Sequence, residues 1–206
     1  MSRILTNFAL IMRKLKITEM GRMNVEEFKA SDKMPLVVVL DDVRSMYNVG
    51  SVFRTADAFR VEAIYLCGIT ACPPHPEIHK TALGAEDTVE WRYFKDTMEA
   101  VADLKARGYY VYSIEQCEGS TKLQELDANL EKRASSLQQE DSPLSALRSS
   151  LKSAIIMGNE VKGVKQEVVD ASDGCIEIPQ FGTKHSLNVS TTAGIVIWEF
   201  AKRLIV

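Results

Sequence analysis

The sequence lacks any long hydrophobic run, and its apolar stretches are interrupted after a few residues. Crossing a bilayer takes about 18 or more consecutive apolar residues, so no membrane-spanning helix is predicted. Cysteine is also scarce: there are four in 206 residues, and they are scattered. Scattered cysteines favour a reducing compartment over a disulfide framework. We therefore expect a cytoplasmic protein.

Paired metal ligands are missing as well. Cys67, Cys72, His75 and His79 lie close together in the sequence, on either side of a proline-rich stretch. Their spacing fits none of the usual zinc patterns, so no metal site is predicted.

The chain has no excess of positive charge, since its formal net charge is −3. It is therefore not a general polycation, and any contact with nucleic acid must come from a local patch. The best local patch is Arg13, Lys14, Lys16 and Arg22. A solvated helix face explains these four residues equally well.

The remaining composition is that of a globular protein, with 46% hydrophobic and 26% charged residues. Continuous apolar runs such as residues 36–40 are typical of strands buried on both faces of a parallel sheet. Their alternation with helical patterns predicts an α/β fold with a mainly parallel sheet and helices on both faces. The predicted strands are residues 36–40, 63–67, 89–91, 109–114, 154–157 and 174–178, and the main helices are 51–59, 96–108 and 189–204, with loops at 41–48 and 68–83.

We divide the chain into an N-terminal arm, residues 1–34, and one domain, residues 35–206. Residues 118–152 are rich in Glu, Lys, Ser and Gln, with leucines that allow at most short amphipathic helices. We interpret roughly 127–150 as an insertion and expect it to be the most mobile part, with a partner-binding helix as the alternative. The sequence also leaves open whether the native protein starts at Met1 or at Met12.

Three stretches concentrate the polar residues that follow apolar strands. They are NVGSVFRTADAF at 48–59, AIIMGNEVKG at 154–163 and IPQFGTKHSLNVS at 178–190. The third lies in a strand-to-helix turn, and the carboxyl ends of parallel strands are the usual place for ligands. Ser186 and Asn188 also suit the N-terminus of the last helix, and capping alone would explain them.

In this order, the three stretches resemble the three motifs of the SpoU (TrmH) family of RNA ribose 2′-O-methyltransferases, over residues 36–206. That family belongs to the knotted SPOUT methyltransferases. The resemblance implies a deep C-terminal trefoil knot, S-adenosylmethionine as methyl donor, and tRNA or rRNA as substrate. It also implies a homodimer, in which the C-terminal helix and motif loops of two chains complete each site.

The resemblance also implies a role for each motif side chain. Arg54 would be the central catalytic residue, acting as a base or as an electrostatic stabiliser, with Asn48 orienting it or the substrate. Glu160 would fix the loops by hydrogen bonds, whereas Ser186 and Asn188 would place ribose or phosphate. The cofactor pocket would be lined by Gly158, Ile178 and Leu187.

Ordinary structural roles compete with several of these assignments. Arg54 and Asp57 are three residues apart on a predicted helix, where a surface ion pair is common. Ile178 and Leu187 are also suitable as plain core residues. For Gly158 the residue type supports the assignment, because glycine allows the close backbone approach that such a pocket needs.

Other functions remain open on the sequence. A SPOUT enzyme that methylates a base nitrogen is the nearest alternative, and a non-catalytic RNA-binding homologue is another. A nicotinamide oxidoreductase is excluded, because it needs G-x-G-x-x-G after the first strand and residues 41–50 contain only Gly50. The sequence does not distinguish tRNA from rRNA, although recognition by shape favours tRNA slightly.

Overall fold

The fold is built on one sheet of seven strands, in a computed structural model that describes residues 13–136 and 151–202. The strands are β1 (Met34–Asp41), β2 (Val61–Cys67), β3 (Glu90–Phe94), β4 (Tyr110–Ile114), β5 (Thr121–Lys122), β6 (Ser153–Met157) and β7 (Gly174–Glu177). Their order across the sheet is β3-β2-β1-β6-β4-β7-β5, and every neighbouring pair is parallel. The predicted parallel α/β sheet is confirmed.

Strand β1 lies inside the sheet, and this explains its continuous apolar sequence. Val38 pairs with Ile64 of β2 on one side and with Ile155 of β6 on the other. A strand with partners on both edges and helices on both faces has no side chain directed to water.

Helices cover both faces, as predicted. The helices are α1 (Val25–Ala30), α2 (Met46–Ala58), α3 (Pro76–Ala82), α4 (Thr97–Ala106), α5 (Leu126–Ser136), α6 (Gln166–Ala171) and α7 (Val189–Ala201). The core on one face combines α1, α2, α3, α5 and α7 with the sheet, and the core on the other combines α4 and α6 with it. The trefoil knot implied by the resemblance stays a prediction.

The start of α2 differs from the prediction, which placed residues 41–48 in a loop and began the helix at 51. The helix begins at Met46, because the Ser45 side chain caps it by accepting a hydrogen bond from the Asn48 N–H at 3.3 Å. Asn48 therefore lies in the first turn of a helix.

The prediction of one long loop at 68–83 was also wrong. Residues Pro76–Ala82 form α3, with Pro76 in its first turn and His75 accepting a hydrogen bond from the Glu77 N–H. Proline suits this place because its fixed φ is helical and its missing N–H would have no helical partner. Ile78 and Ala82, four apart, are buried against α2.

The segment predicted as an insertion begins with an ordered helix. Leu126, Leu130 and Ala134 of α5 are buried, and they recur at helical spacing. Residues 137–150 lie outside the described residues, so the insertion and its mobility stay predictions. Strand β5 and helix α6 were not predicted, because each is shorter than the window in which periodicity is visible.

The described part of the N-terminal arm contributes two residues to the core, Phe28 and Met34. Asn24 and Glu27 form a reciprocal capping box at the start of α1, and Phe28 in that helix is buried. The division into an arm and a domain stays a prediction. Among the described helices, none is long and apolar enough to cross a membrane.

Candidate active site

A cavity of about 470 Å³ opens at the carboxyl ends of β4, β6 and β7, where Ile114, Met157 and Ile176 form part of its wall. The rest of the wall comes from Glu177 at the end of β7, from three connecting segments within residues 115–116, 158–164 and 178–187, and from Val189 and Thr192 of α7. Five of the eight predicted site residues line it: Gly158, Glu160, Ile178, Ser186 and Leu187.

The loop after β6 has a shape that requires glycine. A Cβ on Gly158 would lie 2.1 Å from the Gly163 carbonyl carbon and 2.2 Å from the Val164 nitrogen. Both are backbone atoms, so no side chain can move aside. Gly158 is therefore explained by the folding of this loop onto itself; the sequence argument had used it only for the approach of a ligand.

Asn159 fixes the same loop to its surroundings. Its backbone N–H donates to the Gly163 carbonyl at 3.0 Å, and its Nδ2 donates to the Asp42 carbonyl at 2.7 Å. Its Oδ1 accepts from the Val161 and Lys162 N–H groups. One side chain thus joins the loop after β6 to the end of β1.

Glu160 connects this loop to α2. Its carboxylate accepts hydrogen bonds from the Arg44 N–H at 3.0 Å, the Ser45 N–H at 2.9 Å and the Asn48 Nδ2 at 3.0 Å. Partial burial acts to raise the pKa of Glu160, but the hydrogen bonds from Arg44 and Ser45 outweigh it, so the pKa is lowered. Glu160 is therefore held as a carboxylate.

Asn48 links Glu160 to the last helix. Its Oδ1 accepts from the Asn188 Nδ2 at 3.0 Å, and its side chain is buried. Asn188 is the N-cap of α7: its Oδ1 accepts from the N–H groups of Ser190 and Thr191. The structure therefore brings Asn48, Glu160 and Asn188 into one chain of hydrogen bonds.

Arg54 lies apart from this chain of hydrogen bonds, on the exposed side of α2. Among residues 13–136 and 151–202 its guanidinium has no hydrogen-bond or ion-pair partner, so it does not contact Asn48. Asp57 is not its partner either, since Asp57 Oδ1 accepts from Thr88 Oγ1 at 2.7 Å. The simple ion pair considered for Arg54 is therefore not the arrangement in the structure.

Ser186 is exposed, and its hydroxyl makes no hydrogen bond within the described part of the chain. It does not cap α7, a function that Asn188 performs alone. In the same described ranges, no group of three or more His, Cys, Asp or Glu residues could hold a metal ion. His79 was one of the residues considered for zinc, but its Nδ1 lies 2.6 Å from Glu86 Oε1.

Sequence reasoning missed several residues of the cavity and its support. Glu115 and Gln116 follow β4 directly and line the cavity. Asp41 ends β1 and Asp42 follows it, and both lie near Lys165 from the segment before α6. An apolar strand followed directly by charged side chains was the one signal available, and it is present after both β1 and β4.

Lys165 bridges two carboxylates behind the loop after β6. Its Nζ lies 2.8 Å from Asp42 Oδ2 and 3.7 Å from Asp41 Oδ1. Asp41 is buried, and its Oδ2 has no hydrogen-bond partner in the described structure. The hydrogen bond with Lys165 lowers the pKa of Asp42, and the same bond raises the pKa of Lys165.

Replacing Lys165 with methionine removes both ion pairs and should lower the free energy of unfolding at pH 7. The expected loss is only about 1 kcal/mol, because the Lys165 side chain is 43% exposed and water screens its charge. A lowered Asp42 pKa gives stability above the ordinary value of about 3.9 that is lost as the pH falls. A raised Lys165 pKa gives stability below about 10.4 that is lost at higher pH.

Urea unfolding at pH 7 and pH 3 tests this expectation. The difference between wild type and Lys165→Met should be smaller at pH 3 than at pH 7, because the stability that comes from the lowered Asp42 pKa is lost progressively as the pH falls. Lys95→Met is the matched control, because Lys95 is exposed and forms no ion pair within the described residues. An equal loss at both pH values would refute the charge-based explanation.

Taken together, the fold and the site define a parallel α/β protein with a small-molecule cavity where its strands end, built from the loops that carry the sequence motifs. The chain belongs to the SpoU rRNA Methylase family, whose sequence model matches residues 35–198. The resemblance inferred from the three motifs is confirmed.

Curated relatives of the chain modify RNA. The chain is 29% identical over 182 residues to a tRNA (guanosine(18)-2′-O)-methyltransferase of Thermus thermophilus, covering 88% of this chain and 82% of the relative. It is 30% identical over 165 residues to a 23S rRNA (guanosine-2′-O-)-methyltransferase of Neisseria meningitidis, covering 80% of this chain. The chain spans 57% of that relative and 64% of a TrmH family relative from Staphylococcus saprophyticus.

Solved structures share the fold. An AdoMet-bound rRNA methyltransferase from Sinorhizobium meliloti matches with a TM-score of 0.67 and 25% identity, covering 84% of this chain and 58% of that one. A TrmH/SpoU tRNA modifying enzyme from A. aeolicus matches with a TM-score of 0.68 and 22% identity, covering 87% of this chain and 80% of that one.

Proposed function

We propose that the chain transfers a methyl group from S-adenosylmethionine to a ribose 2′-hydroxyl of tRNA or rRNA. The observation that carries the proposal is the cavity at the ends of β4, β6 and β7, formed by the second and third motif loops and linked by Asn48 to the helix of the first motif. Family membership and the S. meliloti structure with its bound AdoMet support the choice of cofactor.

The cavity fits such a cofactor in size and chemistry. Its volume of about 470 Å³ lies within the range of about 300–1,000 Å³ for small-molecule sites. Ile178 and Leu187 offer apolar contact to a nucleoside base, and the backbone around Gly158 offers donors and acceptors. S-adenosylmethionine, when bound, supplies a methyl group already activated by its sulfonium.

Arg54 acts on the RNA as an electrostatic group. A ribose hydroxyl becomes a better nucleophile when the negative charge that develops on its oxygen is stabilised, and a guanidinium can contact that oxygen and the adjacent phosphate together. Arginine keeps its proton in proteins, so we prefer this role to proton abstraction. Its lack of an internal partner among the described residues leaves the guanidinium available for RNA.

The other motif side chains divide into two tasks. Asn48, Glu160 and Asn188 hold α2, the loop after β6 and the start of α7 together, and so they position the site. Asn188 uses its side chain for the α7 cap and for Asn48, so the direct contact to ribose or phosphate is assigned to Ser186. The Ser186 hydroxyl is exposed at the cavity.

The exposed side of α2 provides a surface for RNA next to Arg54. Tyr47 lies seven residues before Arg54, which is two helical turns along the same face, and its ring is 46% exposed. Lys80 of α3 lies 6.0 Å from the centre of that ring. An exposed aromatic ring with a lysine beside it, on the same helix face as Arg54, suits a base and its phosphates.

A homodimer is part of the proposal, and the last helix supports it. Its buried residues, such as Val196 and Ile197, pack into the core, whereas Ile195 and Trp198 are 37% and 48% exposed. The centre of the Trp198 ring lies 5.8 Å from that of Phe59, which directly follows α2. Exposed apolar side chains on a rigid helix are typical of an interface between subunits.

Placing charges on this helix should separate the subunits. We expect the double variant Ile195→Lys, Trp198→Glu to elute and scatter light as a monomer and to lose RNA methylation, while Lys132→Ala on exposed α5 remains a dimer. A wild-type protein that is itself monomeric at working concentrations would refute the dimer, as would a double variant that stays dimeric.

The experiment that tests the function measures label transfer from methyl-labelled S-adenosylmethionine to RNA. Total tRNA and rRNA from cells that lack this protein are tested separately, because relatives are named for each. Label in one pool identifies the substrate class, and no label in either pool contradicts an active RNA methyltransferase. The cytoplasmic location is a separate proposal, to be tested by cell fractionation.

A further inference from the structure

We propose that Glu115 and Gln116 form a two-armed clamp that sets the spacing between the two loops of the cofactor pocket. The proposal rests on the use of S-adenosylmethionine proposed above. One arm, Glu115, holds the loop after β6, and the other arm, Gln116, holds the loop before α7. Both residues are positioning residues that also line the cavity.

The base of the clamp is anchored to the sheet. The Glu115 N–H donates to the Ile176 carbonyl at 3.1 Å, which extends the pairing of β4 with β7 by one residue. The Cys175 thiol donates to the Glu115 carbonyl at 3.2 Å, and Cys175 Sγ lies 3.0 Å from Cys117 Sγ. The backbone on each side of the two arms is therefore fixed to β7.

The first arm is a carboxylate with both oxygens engaged. Glu115 Oε1 accepts from the Gln116 N–H at 2.8 Å, and Oε2 accepts from the Val164 N–H at 3.1 Å. A Cβ on Gly163 would lie 2.1 Å from Oε2, and Gly163 has a φ of +68°. Glycine at 163 thus permits the turn and leaves space for the Glu115 carboxylate.

The second arm reaches the third motif loop. Gln116 Nε2 donates to the His185 carbonyl at 2.9 Å. His185 directly precedes Ser186 and Leu187, which line the cavity. In that loop, residues 180–188 are exposed, so few other contacts define the position of its backbone.

The two arms therefore control two walls of one cavity from a single anchored turn. The Val164 N–H of the first loop is bound by a side chain 49 residues away in the sequence, and the His185 carbonyl of the second loop by a side chain 69 residues away. Since small displacements in a binding site are costly, loosening either arm should weaken cofactor binding without any lost contact to the cofactor.

Two variants of unchanged shape test the clamp. Gln116→Glu removes the amide donor and places a carboxylate against the His185 carbonyl. Glu115→Gln keeps one oxygen that can accept a hydrogen bond. It replaces the other oxygen with an NH2 group, which cannot accept from the N–H that it faces. Glu118→Gln is the matched control, since Glu118 is exposed in the same turn and makes no hydrogen bond or ion pair in the described residues.

Two measurements are made on each variant. Calorimetric binding of S-adenosylhomocysteine should weaken by about tenfold in each clamp variant. Amide hydrogen exchange without ligand should accelerate at residues 158–165 in Glu115→Gln. In Gln116→Glu it should accelerate at residues 190–192, whose N–H groups bond to Asn188 at the end of the third motif loop. Neither variant should change exchange at the other site. The control variant should match wild type in both measurements.

Site-selective exchange together with weaker binding supports the clamp. Wild-type exchange at both sites for both variants would overturn it, and so would weaker binding with unchanged exchange, since that pattern indicates direct contact with the cofactor. A wild-type protein that binds no S-adenosylhomocysteine would contradict the proposed function, whereas the exchange measurement would still judge the clamp. General acceleration of exchange across the sheet would indicate a fold defect and would also overturn it.

Discussion

Replacing Arg54 with alanine is expected to lower methyl transfer to RNA by about 100- to 1,000-fold, the cost of removing one group that stabilises a developing oxyanion. Binding of S-adenosylhomocysteine and the free energy of unfolding should stay at wild-type values. The reason is that Arg54 is exposed and has no partner among the described residues, so its removal leaves no unpaired group in the chain.

Arg54→Lys distinguishes charge from shape. Lysine keeps the positive charge but lacks the planar guanidinium that contacts two oxygens at once, so activity should recover only in part. Single-turnover rates at saturating RNA measure the effect on the chemical step, and Lys132→Ala in α5 serves as the control for loss of an exposed helical cation. Full activity in Arg54→Ala would remove Arg54 from the mechanism.

Replacing Gly158 with alanine is expected to destroy cofactor binding, with a loss of more than about 100-fold. The added Cβ would lie 2.1 to 2.4 Å from three backbone atoms of Gly163 and Val164, so the loop after β6 must move. Such overpacking should also lower the free energy of unfolding by about 1–3 kcal/mol. Binding is measured by calorimetry and unfolding in urea.

Gly182→Ala provides the matched comparison for Gly158→Ala. Gly182 has no heavy atom within 4 Å of an added Cβ, and it needs no left-handed backbone. We expect it to fold and to bind S-adenosylhomocysteine as the wild type does. If Gly158→Ala behaved like Gly182→Ala, the loop would be free to rearrange, and the described shape of the pocket would be wrong.

The parallel sheet could be predicted because its inner strands carry the pattern themselves. β1 contains the continuous apolar run 36–40 and β6 the run 154–157, and a strand buried on both faces needs no partner to be recognised in the sequence. The Asn188 cap was predicted for a similar reason, since a cap is a local contact between a side chain and the next turn. Local signals also existed for α3, but its prolines were interpreted as loop residues.

The connections of the site could not be predicted, because they join residues far apart in the sequence. Asn48 bonds to Glu160 and Asn188, 112 and 140 residues away, and only the folded sheet brings them together. Its position six residues before Arg54 suggested a partnership that α2 does not allow, since residues six apart lie on different sides of a helix. Glu115 and Gln116 gave no motif at all.

The central claim, methylation of a ribose hydroxyl, is tested most directly by the chemical position of the transferred methyl group. Labelled tRNA or rRNA is hydrolysed in alkali, which cleaves next to a free 2′-hydroxyl and leaves the bond beside a methylated one intact. We predict that the label remains in an alkali-resistant dinucleotide and is absent when Arg54→Ala replaces the wild type. Label recovered in mononucleotides released by alkali, as methylation of a base would give, would contradict the claim.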